Sequence, residues 1–329
     1  MQHVILLSEV QVRNSVRTVT LTYPMLPQAA AEWAQPQIAA LGQFDGLHRG
    51  HASVISSAVA LARTEGVPAA VITFYPHPKD VMGKGDYEGY LTPPRDKQEL
   101  LAEMGVDILY VIEFNEQLSQ VSPEDFVSVM LLPLRITTAI VGFDFRFGYK
   151  GEGDAEMLRR LGDGSMKVET VPPFLLDGVK VSSSGIRKGL QNGDMELANS
   201  WFGRCYHLRG TVSHGEKRGR TIGFPTANLE LEDRYVIPAK GVYAVRAIHN
   251  GKTLPGVMNV GVKPTFHEGV TVPSFEVHLL DFAGDLYGQE MRVDLVAFIR
   301  PERRFDSVES LISQIREDAK TAERILLES

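Results

Sequence analysis

The chain has 329 residues, 43% of them hydrophobic and 23% charged, with a formal net charge of −7, which is the make-up of a globular protein of about two domains. The acidic balance, with a pI near 5.8, argues against nucleic acid as a partner, since nucleic-acid binders present basic faces, and leaves small nucleotides compatible. A single cysteine, Cys205, excludes an internal disulfide, no apolar run reaches the roughly 18 residues of a membrane span, and residues 1–19 lack a signal-peptide pattern, so a cytoplasmic protein without membrane attachment is expected.

The residues before Gln37 carry no readable function. Residues 38–44 form a short apolar run that predicts a strand, and residues 52–62 place Val54, Ile55, Ala58, Val59 and Ala62 on one helix face. Between them runs Gly42-Gln43-Phe44-Asp45-Gly46-Leu47-His48-Arg49-Gly50-His51. A strand, a glycine turn and a helix in that order make a phosphate site: the helix N-terminus offers amides and a positive dipole end, and Gly50 has no Cβ to hold a phosphate away. His48 and His51 can then donate to phosphoryl oxygens. The same pair also reads as half of a metal site, for which no third ligand is found at usable spacing, or as ordinary surface residues.

Further strands are predicted over 68–75, 107–114, 138–143 and 167–171, and helices over 96–104, 123–131 and 154–161. Ser122-Pro123-Glu124-Asp125 supplies an N-cap, a proline at the first helical position and acids in the first turn. Strands alternating with helices predict a parallel sheet covered on both faces, with ligands at the carboxyl ends of its strands. Asp144 falls at such an end, where it orients a ligand or caps a turn. Ser182, Ser183 and Ser184 precede a helix and Arg187 comes after them, which makes either an anion site or a set of capping hydroxyls.

The pattern changes near residue 204. A helical connector is predicted over 194–202, β segments over 206–213, 242–248, 256–260, 275–281 and 291–299, and a final helix over 307–327, together a small antiparallel barrel closed by a helix. In the strand around Glu276, Phe275, Val277 and Leu279 share one face and Glu276 and His278 the other, so Glu276 is either a positioned base or an outer-face residue. Thr226 and Asn228 point the same way from an extended segment. Residues 215–223, with Lys217, Arg218 and Arg220, form a candidate phosphate-covering loop or an exposed basic turn. No G-x-x-x-x-G-K-[ST] motif and no protein-kinase signature occurs.

The motif from Gly42 to His51 resembles the signature of the bacterial bifunctional riboflavin kinase and FMN adenylyltransferase (FAD synthetase) family. So do Thr73-Phe74-Tyr75-Pro76-His77-Pro78, Leu91-Thr92 with Lys97, Val141 to Gly148 and Val181 to Arg187, and downstream Gly219 to Asn228, Asn259 to Phe266 and Glu276 to Asp281. The resemblance covers nearly the whole chain. It implies an α/β plus β architecture: a Rossmann-like parallel-sheet nucleotidyltransferase domain over 1–190, a connector over 191–203, and an antiparallel β-barrel riboflavin kinase domain over 204–329.

The implied chemistry is phosphorylation of riboflavin to FMN and adenylylation of FMN to FAD, with Mg2+ and ATP. The resemblance implies His48, His51 and Glu276 as catalytic residues. It implies Gly42, Phe44, Asp45, Gly50, Ser182, Ser183, Ser184 and Arg187 in the first activity, and Gly215, Lys217, Arg220, Gly223 and Pro225 in the second, as ATP or phosphate contacts. Phe74, Pro76, Pro78 and Asp144 are implied at the flavin, and Thr226 and Asn228 at magnesium. Ser184 stands where the family usually has threonine, and Gln43 where asparagine, tyrosine or threonine is frequent. The competing readings are a single-activity family member, a flavin-sensing regulator without turnover, and another nucleotidyltransferase, which leaves the barrel unexplained.

Overall fold

The computed structural model describes residues 15–83, 87–214, 222–264 and 271–328. The chain divides into two compact units, the first made of residues up to Tyr87 with Pro94–Pro173, the second of Glu88–Pro93 with Phe174–Ser329. The sequence reading places the boundary at 190.

In the first unit, β1 (Arg17–Leu21), β2 (Gln37–Leu41), β3 (Ala69–Tyr75), β4 (Ile108–Glu113), β5 (Ile136–Gly142) and β6 (Lys167–Val171) form one sheet in the order β1-β4-β3-β2-β5-β6, and every pairing in it is parallel. Helices α1 (Pro27–Trp33), α2 (Arg49–Glu65), α3 (Pro94–Glu103) and α4 (Ala155–Leu161) belong to the same unit. In β2, Ile38 and Ala40 pack with Ile55 of α2 and Leu101 of α3, while Ala39 and Leu41 pack with Tyr110 and Leu131 on the other face. A strand buried on both faces reads as an unbroken apolar run, which is how this one appears in the sequence. From β2 the chain builds outward to β3 and β4 on one side and to β5 and β6 on the other. The sheet therefore changes direction between β2 and β5, and ligands of such sheets sit outside the carboxyl ends at that point.

Two details depart from the sequence reading. Residues 123–131 begin as one α-turn, Pro123–Asp125, then widen into π-helical turns over Phe126–Leu131 and tighten again over Leu132–Leu134. Leu132 N–H donates to Val127 O, five residues back, next to Pro133, which has no N–H to continue an α-ladder. The N-terminal stretch left without a reading supplies β1 and α1, with the Arg17 guanidinium 4.0 Å from the centre of the buried Trp33 ring.

The second unit is a closed barrel of β7 (Tyr206–Ser213), β8 (Ala227–Leu231), β9 (Gly241–His249), β10 (Lys252–Pro264), β11 (Thr271–Leu279) and β12 (Glu290–Pro301), in the order β7-β8-β11-β10-β9-β12. All its pairings are antiparallel. Helices α5 (Ser183–Asn192) and α6 (Met195–Phe202) bury Ile186, Leu190, Met195 and Phe202 in the barrel's core. Asn199 ties α6 down, donating to Leu295 O at 2.9 Å and accepting from Tyr206 N at 2.8 Å. A Cβ on Gly185 of α5 would lie 2.3 Å from the Trp201 ring of α6, so only glycine lets the two helices approach this closely.

Segment Glu88–Pro93 joins the same unit through Tyr90, which donates to Arg234 O and accepts from Val236 N at 2.7 and 2.9 Å. At Gly89 φ is +115°, and a Cβ there would meet Arg234 O at 2.5 Å. The last helix, α7 (Val308–Glu328), is fixed by Asp318, which is 3% exposed. Its carboxylate accepts from Arg300 Nε at 2.9 Å and from Arg300 NH2 at 2.7 Å.

Candidate active sites

The H-x-G-H segment lies at the carboxyl end of β2. The strand stops at Leu41 rather than Phe44, because the chain turns sharply: φ is +48° at Phe44, +98° at Gly46 and +41° at Leu47. Gly42 makes room for this turn, since a Cβ there would meet the Phe44 ring at 3.0 Å.

His48 is the N-cap of α2, and its Nδ1 accepts from His51 N–H at 3.2 Å. That bond fixes the tautomer of the neutral ring, with the proton on Nε2 as a donor. The two imidazoles stack with centroids 3.7 Å apart and planes 16° from parallel, and the Phe44 ring meets His51 edge-on at 5.4 Å. Ala52 N–H makes the first intrahelical bond, to His48 O, so Arg49 and Gly50 supply the amides at the mouth of the helix. His48 and Asp45 are each 4% exposed, so the turn is a fixed surface rather than a mobile loop.

Around it stand the ends of neighbouring strands. Gln43 Nε2 donates to Phe74 O at 3.2 Å, and among the described residues Gln43 Oε1 is buried without a hydrogen-bond partner. Phe74 packs against Phe114 and Phe126, so the candidate flavin wall is partly a core residue, whereas Tyr75 is 41% exposed. Pro76 is half-buried, and Pro78 opens a single helical turn capped by His77. Asp144 lies exposed in the turn after β5, with its carboxylate over Gly142.

The serine cluster belongs to the second unit. Ser182 is the N-cap of α5, accepting from Gly185 N–H at 3.2 Å, while Ser183, Ser184 and Arg187 occupy the first turns. One of the three hydroxyls is thus committed to capping.

In the barrel, pairing brings distant residues into one row. Asn228 of β8 stands opposite Glu276 of β11, and Glu276 stands opposite Asn259 of β10. The alternation holds: Phe275, Val277 and Leu279 are buried, and Glu276 and His278 are half-buried. Lys263 Nζ donates to Asn228 Oδ1 at 2.7 Å and lies 3.5 Å from Glu276. His278 Nδ1–H donates to Pro225 O at 2.8 Å, which orders the segment leading to Thr226.

Glu276, Asn259 and Thr226 line a cavity of about 730 Å³ whose apolar wall includes Phe224, Val242 and Phe305. Thr226 also lines a pocket of about 70 Å³ with Leu286 and Tyr287. Gly223 is exposed with φ +86°. Gly215, Lys217 and Arg220 lie outside the described residues.

Comparison with known proteins identifies the family of the chain. Residues 30–185 match the family model of FAD synthetase and residues 202–326 that of riboflavin kinase. The chain is 40% identical to the bifunctional riboflavin kinase/FMN adenylyltransferase of Bacillus subtilis, over 94% of this chain and 98% of that one. It is 41% identical to the protein of that name from Listeria monocytogenes, over 92% and 96%. The chain belongs to the bifunctional riboflavin kinase/FMN adenylyltransferase family.

A solved structure described as a macrolide-efflux protein from Streptococcus pneumoniae is also similar, with a TM-score of 0.83, 31% identity, and coverage of 92% of this chain and 98% of that one. Among the described residues here, no helix is long and apolar enough to cross a membrane. Within the family frame, the sequence reading gave no role to Asn259, Lys263 or Lys97. The signal was present for all three, inside or next to motifs quoted for the resemblance. Cys205 is half-buried, and burial raises its thiol pKa, which disfavours the nucleophilic thiolate.

Proposed function

We propose that the barrel unit transfers the γ-phosphoryl group of ATP to riboflavin, and that the histidine turn of the first unit serves adenylylation of the resulting FMN, giving FAD and pyrophosphate. The observation that carries this reading is the Asn228–Glu276–Asn259 row, of which Glu276 and Asn259 line a flavin-sized cavity, in a chain that also holds a capped H-x-G-H turn. A volume of about 730 Å³ lies within the usual range of small-molecule sites.

In the kinase step a neutral ribityl hydroxyl attacks the γ-phosphorus. Its O–H bond breaks as the new P–O bond forms, and Glu276 accepts the proton while ADP leaves with the bridging oxygen. The isoalloxazine ring occupies the apolar part of the large cavity. The phosphates of ATP pass Thr226.

The residues there fit magnesium. Thr226 and Asn228 offer neutral oxygens, and the Lys263 ammonium already rests on Asn228 Oδ1, which marks that oxygen as facing a cation. Magnesium held by Thr226 and Asn228 would take its remaining ligands from phosphates and water and would neutralise phosphate charge. Gly223 and Pro225 shape the approach, and Gly215, Lys217 and Arg220 serve as further ATP phosphate contacts.

In the adenylylation step the nucleophile is the FMN phosphate, an anion that has no proton to lose. The FMN oxygen bonds to the α-phosphorus as the α–β bridging bond breaks, and pyrophosphate carries the electron pair away. The work of the protein is positioning and charge stabilisation. His48 Nε2–H, His51 and the amides beside Gly50 supply donors on the turn formed by Gly42, Phe44 and Asp45. Ser183, Ser184 and Arg187 contact ATP phosphates, and Phe74, Pro76, Pro78 and Asp144 hold the flavin. Domain limits of 1–190 and 204–329 and a cytoplasmic location complete the reading.

The test is a time course of pure protein with riboflavin and Mg-ATP, with the flavins separated. FMN that rises and then gives way to FAD supports both activities, FMN alone removes the adenylyltransferase assignment, and unchanged riboflavin removes the kinase assignment.

A further inference from the structure

Lys97 lies on the buried side of α3 and is only 6% exposed, yet it carries an ammonium group. Burying such a charge is costly unless it finds partners. Its Nζ donates to Gln43 O at 3.0 Å and approaches Thr73 Oγ1 at 3.4 Å. The Thr73 hydroxyl donates to the same carbonyl at 2.8 Å. One backbone oxygen, at the head of the histidine turn, is thus gripped by donors from β3 and α3.

The grip acts on a strained stretch of backbone. Just beyond Gln43, Phe44 and Leu47 both hold positive φ with full side chains, a conformation that persists only where its surroundings impose it. Fixing the Gln43 carbonyl fixes the peptide plane it shares with Phe44, and so the direction in which the turn leaves β2 toward His48. The charged group acting on the ammonium is the Asp45 carboxylate, in the same turn. Asp96, 1% exposed, lies beside it on α3.

We propose that Lys97 is a positioning residue for adenylyl transfer, its ammonium locking the Gln43–His48 turn through the Gln43 carbonyl and balancing Asp45 beneath the phosphate donors. This rests on the assignment of the histidine turn to that reaction. Burial lowers the Lys97 pKa to about 8, against the opposing attraction of Asp45. The lock is therefore complete below that pH and is lost as pH rises through it, while the unfolded chain keeps the proton until pH about 10.

The experiment measures kcat/KM for FMN adenylylation from pH about 6 to about 10, because that ratio reports the free enzyme's ionisations. The chains compared are the parent, Lys97→Met, Lys97→Arg, Thr73→Val and His48→Ala, with riboflavin phosphorylation by the same preparations as the control. The parent should lose adenylylation with a midpoint near pH 8, the value to which burial brings Lys97. Lys97→Met should lose about 10²-fold, chiefly in kcat, as removal of an oriented donor group does, and should show no alkaline limb. Thr73→Val should lose less and keep the limb. Lys97→Arg should carry the limb beyond pH about 10, because arginine stays protonated there, and phosphorylation should stay within about twofold throughout. A Lys97→Arg chain with the parent's limb, or a Lys97→Met chain within about threefold of the parent while His48→Ala is inactive, overturns the inference. If His48→Ala adenylylates normally, the assignment of the turn itself falls.

Discussion

Glu276→Gln removes one negative charge and the only function proposed for the side chain, with almost no change of volume. The cross-strand neighbours Asn228 and Asn259 can hydrogen-bond an amide as readily as a carboxylate, so the strand stays in place. The contact that disappears is the one to Lys263 at 3.5 Å, between side chains 46% and 36% exposed. A pair so open to solvent contributes about 0–1 kcal/mol, and the melting temperature should move by no more than a few degrees. Catalysis is affected far more. General-base help contributes about 10²- to 10⁴-fold, equivalent to about 3–5 kcal/mol of barrier. The assay supplies riboflavin and Mg-ATP in one vessel and FMN and Mg-ATP in another, and separates the flavins. The first should yield at least about a hundredfold less FMN, and the second should yield FAD at the parent rate. If phosphorylation stays within tenfold of the parent, or both vessels lose equally, Glu276 is not the base.

Three other perturbations read different parts of the molecule. His48→Ala removes the cap of α2, worth about 1 kcal/mol, and a donor worth about 10²- to 10³-fold in rate, so riboflavin should be converted to FMN that accumulates. His48→Asn should regain the stability without the FAD, and FAD formation by either variant at the parent rate would exclude the ring. Asp318→Ala leaves the Arg300 guanidinium, whose side chain is 17% exposed, without its carboxylate; about 3–5 kcal/mol should be lost on thermal unfolding, with weaker quenching of riboflavin fluorescence because both residues line the large cavity. Gly185→Ala drives a methyl into Trp201 and should cost about 1–3 kcal/mol, recovered in part by adding Trp201→Phe; no change in thermal unfolding would contradict the close approach of α5 and α6.

What could be read beforehand divides by distance along the chain. The β2–turn–α2 unit was legible because its signals are local: an apolar run, a glycine turn, and a helix face within about thirty residues. The alternation around Glu276 was legible for the same reason. That Asn228 and Asn259 flank it was not, because the register of β8, β10 and β11 is set by pairing between separate segments, and β8 itself is a five-residue strand that carries a charged residue. Lys97 bonds a carbonyl 54 residues away, and nothing in its own helix tells a buried lysine from an exposed one. The π-helical turns at Phe126–Leu131 escaped because apolar residues fit a helical period whether the ladder closes at four residues or five, and the element that decides is Pro133, beyond the expected end. The serines at 182–184 were readable as a helix start. Their division of labour, with Ser182 on Gly185 N–H, depends on rotamers no pattern records.

On the proposed assignment the two sites solve opposite proton problems, and their residues differ accordingly. The ribityl hydroxyl must lose a proton, and the barrel sets a carboxylate in a row with two carboxamides, a cation beside it. A second carboxylate in that row would repel the same phosphates the site must admit. The FMN phosphate has no proton to lose, and the turn presents donors instead: an imidazole whose Nδ1 is occupied, so that Nε2 must donate, and a buried ammonium behind the backbone that carries it. The one carboxylate of the turn, Asp45, is buried and attracts that ammonium, so its charge is balanced before an anionic substrate arrives. Exchanging the two designs would disable both reactions: a free base at the turn would add repulsion without taking a proton, and histidine donors in the barrel would leave the alcohol protonated. That mismatch is the physical reason to expect substitutions in one unit to separate the activities rather than scale them together.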